Sequence, residues 1–154
     1  HADVEHCRVL HDAVARARQQ TGIDARFVAS DFNTRRLRLT AADPAVLAQS
    51  GAPPIDTGTG PYVDIHAGSM ETAVMMRFFP GGIDPDYVKK LQPTRLTMED
   101  LKNFGKSEEE MRQLVPDGYF GDPASYDAAA AEKYVEAEAA SYANTIADYL
   151  AGAG

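Results

Sequence analysis

Apolar side chains recur at helical spacing near the start of the chain. Val4, Cys7, Leu10, Val14 and Ala17 form one stripe, and Arg8, Arg16 and Gln19 fall away from it. The pattern predicts a first helix over residues 4–21, with Asp3 as its N-cap and Gly22 as its stop. Ala25-Arg26-Phe27-Val28-Ala29-Ser30 is short and β-prone and reads as a strand. Asp43-Pro44-Ala45-Val46-Leu47-Ala48 reads as a short helix, Asp43 at the cap and Pro44 in its first turn. Gly51-Ala52-Pro53-Pro54 and Thr57-Gly58-Thr59-Gly60-Pro61 are loop chemistry, dense enough to suggest a functional loop.

A third helix over residues 68–79 is apolar nearly all round, through Met70, Ala73, Val74, Met75, Phe78 and Phe79, which predicts burial. Pro80-Gly81-Gly82 stops it. Thr97-Met98-Glu99-Asp100 opens a short helix ending near Gly105. Ser107-Glu108-Glu109-Glu110 is a capping box opening another that ends before Pro116. The last predicted helix, 128–151, is Ala-rich, with Tyr134, Val135, Ala139, Tyr142, Ile146 and Tyr149 as its buried stripe. Helix feeding strand within a few residues is the cadence of a layered α/β domain. One or two credible strands are too few to complete such a sheet. The expectation is therefore a single α/β domain with a mostly parallel sheet whose remaining strands lie upstream of His1.

Composition narrows the function classes. The 154 residues are 44% hydrophobic and 25% charged, ordinary for one globular domain. A formal charge of −8 argues against a nucleic-acid partner, which requires concentrated Lys and Arg. The lone Cys7 excludes a disulfide framework and a Cys-based zinc site, and it reads as a small hydrophobe in the first helix. No apolar run approaches the about 18 residues of a membrane span and no signal peptide is visible, so the expectation is a cytoplasmic protein without a membrane partner. The first residue is His, not Met.

Chemistry concentrates in Asp64-Ile65-His66-Ala67-Gly68-Ser69-Met70-Glu71-Thr72, at the mouth of the apolar third helix. His66 is a natural general acid/base, and a nearby carboxylate orients such a ring and stabilises its charged form. Glu71 falls in the first turns of the helix, where the dipole favours an anion. A plainer reading stands beside this one: Asp64 and Thr72 as capping groups and His66 as a loop residue. Arg35, Arg36 and Arg38 either clamp an anion or form a solvated loop.

The segment from Asp64 to Ala73 resembles the D-x-H-A-G-x-x-E-T-S motif of the creatininase (creatinine amidohydrolase) family. Gly118-Tyr119-Phe120-Gly121-Asp122-Pro123, followed by Ala130-Ala131-Glu132-Lys133, is similar to a second segment of that family ahead of its last helix. His1 and Asp3 match the histidine and acidic positions of a family segment that leads into a long helix.

The resemblance implies a metal-dependent hydrolase of a C–N bond in a small-molecule amide or cyclic amide. His1 and Asp3 would be ligands of a two-metal site (Zn, Mn or Fe), with further ligands from the N-terminal half of the domain. His66 would shuttle a proton, Glu71 would orient it or touch the substrate, and Asp64, Tyr62, Gly68 and Ser69 would line the substrate site. The chain would then be the C-terminal portion of a layered α/β/α creatininase-like domain, active with its N-terminal half as a second chain or a cleaved fragment, and homo-oligomeric. Ser69 stands where many members carry Glu, Ala73 where they carry Ser, and Tyr62 where creatininase has Trp, which points away from creatinine itself. Two rivals remain: a copper-chelating N-terminal His, which would demand a β-rich fold, and a non-catalytic subunit or degenerate paralogue that binds a partner chain.

Overall fold

A computed structural model of the protein describes residues 4–40, 42–54, 62–103 and 107–152. These form two compact units, residues 1–53 with 136–154, and residues 54–135. The class is mixed α/β, mostly helical, with a small parallel sheet.

In the first unit, helix α1 (Val4–Thr21) has the predicted bounds. Gly22 follows at φ +71°, a left-handed conformation costly for a side chain, and its N–H returns to the Arg18 carbonyl at 2.9 Å. The inward face is rotated from the expected stripe. Cys7 is fully buried, but Leu10 is 42% exposed, while His11 and Arg18 turn inward. Both find acidic partners there. His11 Nε2 lies 2.9 Å from Asp43 Oδ2, and Arg18 pairs with Asp24 and donates to the Ala25 carbonyl at 3.0 Å.

Strand β1 (Phe27–Ala29) pairs in parallel with β2 (Val46–Ala48), Phe27 opposite Val46. The crossover that parallel pairing requires contains a helix the sequence did not announce, α2 (Asp31–Leu37), capped by the Ser30 hydroxyl on the Asn33 amide. The residues expected to form a helix after Asp43 are thus a strand. Asp43 does cap, its Oδ1 accepting the Ala45 N–H at 2.8 Å, but the capped turn delivers Ala45 and Val46 into the core instead of starting a helix.

The final helix, α6 (Ala128–Leu150), contributes to both units. In the first unit its buried positions are Ser141 and Thr145, while Ala139 and Ile146 of the expected stripe are exposed. Two hydroxyls face inward because the chain after β2 needs partners. Ser141 Oγ donates to the Ser50 carbonyl at 2.7 Å, and the Ser50 N–H donates to Thr145 Oγ1 at 3.0 Å.

The second unit is built on Val63, Val115 and Phe120, with Ile65, Leu96, Leu101, Met111 and Leu114 packed around them. Helix α3 (Ser69–Phe78) buries only Thr72 and Ala73, and Phe78 and Phe79 are 42% and 60% exposed, so the all-round burial expected of it does not occur among the described residues. A short helix α4 (Pro85–Val88) starts at the Asp84 cap. The Thr97 segment forms only a 3-10 turn, Asp100–Asn103, in which Asp100 Oδ2 accepts both the N–H and hydroxyl of Thr97 at 2.8 and 2.7 Å. Its expected end at Gly105 lies outside the described residues. Helix α5 (Glu108–Leu114) opens on the predicted capping residue, Ser107 Oγ accepting from the Glu110 amide at 3.2 Å and donating to its carboxylate at 2.6 Å.

Candidate active site

Three extended segments converge in the second unit. Tyr62 pairs with Thr97 in an antiparallel bridge, and the Val63 N–H donates to the Leu96 carbonyl at 3.0 Å. Further along, His66 pairs with Phe120, and the Thr94 N–H donates to the Gly121 carbonyl at 3.1 Å. The two sequence segments carrying the chemistry, 64–73 and 118–123, are therefore in direct contact, joined through backbone groups that no side-chain pattern reports.

His66 is exposed at this junction. Its N–H donates to the Phe120 carbonyl at 3.1 Å and its carbonyl accepts from the Phe120 N–H at 2.7 Å. The next residue, Ala67, sits at φ +48°, which is strained for a residue with a β-carbon. Its N–H is held by the Glu71 carboxylate. Glu71 thus reaches back from the first turn of α3 to the peptide next to His66.

Asp64 is half-buried and acts across the junction. Its Oδ2 accepts the Ser69 N–H at 2.9 Å and the Asp122 N–H at 3.1 Å. Gly68, the buried N-cap of α3, and Gly121 enclose the same carboxylate. A β-carbon on Gly68 would overlap it, and one on Gly121 would come within 2.5 Å of Oδ1. Ser69 supplies its amide to Asp64, and Tyr62, bridged to Thr97, is 45% exposed. The structure thus brings Asp64, His66, Gly68, Ser69 and Glu71 together where the loop after Val63 enters the first turn of α3. Gly121, Asp122 and Thr94 complete the junction, although sequence reasoning gave them no role. The Gly-Asp-Pro run was the visible signal for the first two.

Burial, with the Asp117 carboxylate nearby, raises the Tyr119 phenol above its usual range, and its hydroxyl donates to the Gln92 carbonyl at 2.6 Å. Arg77 of α3 grips Glu132 of α6 through two nitrogens at 3.1 and 2.7 Å and lowers that carboxyl.

His1 and Asp3, the expected metal ligands, lie outside the described residues, as does the Thr57–Pro61 loop. Among the described residues no three His, Cys, Asp or Glu side chains come together as a metal site. Asp64 and Glu71, the carboxylates nearest His66 in sequence, are engaged by backbone amides. The described residues alone therefore do not form a fitting metal centre. No described helix is long and apolar enough to cross a membrane.

No curated protein and no solved structure matches the chain. The family model described as creatininase, creatinine amidohydrolase, matches residues 1–146, essentially the whole of the 154-residue chain. The chain belongs to the creatininase family.

Proposed function

We propose that the protein hydrolyses a C–N bond of a small amide or cyclic amide, with His66 as the proton carrier. The observation that supports this most is the way His66 is presented. The imidazole is exposed, while the backbone beneath it is pinned to the wholly buried Phe120 and followed by a strained residue held by Glu71. A fixed backbone under an exposed imidazole suits general acid catalysis, in which the ring gives a proton to the departing nitrogen. Tyr62 and Ser69 are proposed to face the substrate.

A divalent metal pair (Zn, Mn or Fe), held by His1 and Asp3 with ligands from an N-terminal half of a layered α/β/α domain, would supply a polarised carbonyl and an activated water. A second chain that completes the metal ligand set, and further copies of this chain in a homo-oligomer, are the proposed partners.

The test is hydrolysis of a panel of cyclic amides, formamides and short peptides by the full protein in the presence of Zn, Mn or Fe. Wild type should turn over at least one of them, and His66→Ala should lose activity by about 100-fold or more while keeping its fold. Equal turnover in wild type and His66→Ala would remove His66 as the proton carrier, and no turnover of any of these substrates by wild type would overturn the enzyme reading and favour the rival, a non-catalytic subunit.

A further inference from the structure

We infer that Asp64 is a positioning residue, one that fastens the loop bearing His66 to the 120–122 segment, and not a substrate contact. The inference rests on the catalytic role proposed for His66. A single carboxylate oxygen, Oδ2, accepts backbone N–H groups from two places remote in sequence, Ser69 at 2.9 Å and Asp122 at 3.1 Å. Hydrogen bonds to a charged acceptor are among the stronger ones a loop can use. The other oxygen sits where Gly68 and Gly121 lack β-carbons, and a methyl group on Gly121 would also come within 2.9 Å of the Gly68 Cα. The two glycines make a slot that the carboxylate fills, which leaves a ligand little approach to it. His66 is then fixed from both sides: before it by the pairing with Phe120, and after it by Glu71 on Ala67 and Asp64 on Ser69.

The full chain, isotopically labelled, tests this through amide hydrogen exchange and the ring resonances of His66. Asp64→Ala removes the acceptor, and Gly121→Ala fills the slot without touching a charge. Asp64→Asn keeps an oxygen of the same size. In the first two variants, exchange at the Ser69 and Asp122 amides should rise about tenfold or more, and the His66 ring resonances should move. Asp64→Asn should restore part of both. The Val115 amide in the same unit, bonded to the Met111 carbonyl at 2.8 Å, reports intact folding and should not change.

Unchanged protection at Ser69 and Asp122, or lost protection with an unmoved His66 resonance, would overturn the inference. If Asp64→Ala does not fold, the Gly121→Ala and Asp64→Asn pair decides by the same readouts. These measurements need no substrate, so loss of the hydrolase reading through His66→Ala would be seen separately.

Discussion

His66 and Phe120 exchange backbone hydrogen bonds in both directions, with the imidazole exposed on one residue and the phenyl ring wholly buried on the other. The pairing ties the presentation of a reactive group to the packing of a core that also contains Val63 and Val115. Phe120→Ala should therefore lower stability by about 3–5 kcal/mol, a large share of the stability of an ordinary domain. Phe120→Leu, which keeps most of the volume, should cost less than about 1.5 kcal/mol. Urea midpoints measure both. A Phe120→Ala midpoint close to wild type would mean that the ring is not the anchor of this unit.

Helix α5 gives a second, local expectation. Ser107 accepts the Glu110 amide, and the helix it caps carries Met111 and Leu114 against the core. Ser107→Ala should cost about 1 kcal/mol, and Ser107→Asp, which keeps an acceptor at the cap, should recover most of it. Urea unfolding resolves a difference of that size. Equal losses for the two variants would place the role of Ser107 elsewhere than in its cap.

What the sequence revealed divides along local and non-local lines. The bounds of α1 were legible because an apolar period and Gly22 are properties of neighbouring residues. Its inward face was not, because His11 and Arg18 turn in toward Asp43 and Asp24, which no helical period reports. Asp43-Pro44 carries the same cap signal whether a helix or a strand follows. Pairing with Phe27–Ala29, a long-range event, decided for the strand. In the site the same holds. His66 and Glu71 were legible from residue type and spacing, and the roles of Gly121 and Thr94 were not, because they exist only once the segments 62–66, 94–97 and 119–122 meet.

Ala67 offers a test of stored strain. At φ +48° its β-carbon is unfavourable by about 1–2 kcal/mol, and glycine would relieve this at an entropic cost of roughly half as much. Ala67→Gly should therefore be neutral or more stable by up to about 1 kcal/mol. Because it frees the peptide beside His66, amide hydrolysis should nevertheless fall, a stability gained against activity. Thermal or urea unfolding and turnover measured on the same preparation check the opposite signs. A marked loss of stability would show that the positive φ is not a strain that glycine relieves.

Asp43 sets an acid limit on the first unit. Its carboxyl lies below the ordinary value chiefly because the Ala45 N–H donates to it, and further because His11 does, with the Arg18 charge adding to both and burial opposing them. A carboxyl whose folded value is depressed contributes stability that is present above its unfolded value, about 3.9 for aspartate, and is lost as pH falls through the lower folded value. Wild type should thus lose stability in the window below about pH 4. Asp43→Asn keeps an oxygen for the Ala45 amide but removes the charge facing His11 and Arg18. It should be less stable than wild type at neutral pH and converge toward it as the acid window is crossed. Asp43→Ala, lacking the cap as well, should remain less stable at every pH. Urea unfolding of the three proteins at about pH 7, 4 and 2.5 separates the charge from the cap. A constant gap between Asp43→Asn and wild type would mean that the Asp43 charge carries none of the acid sensitivity.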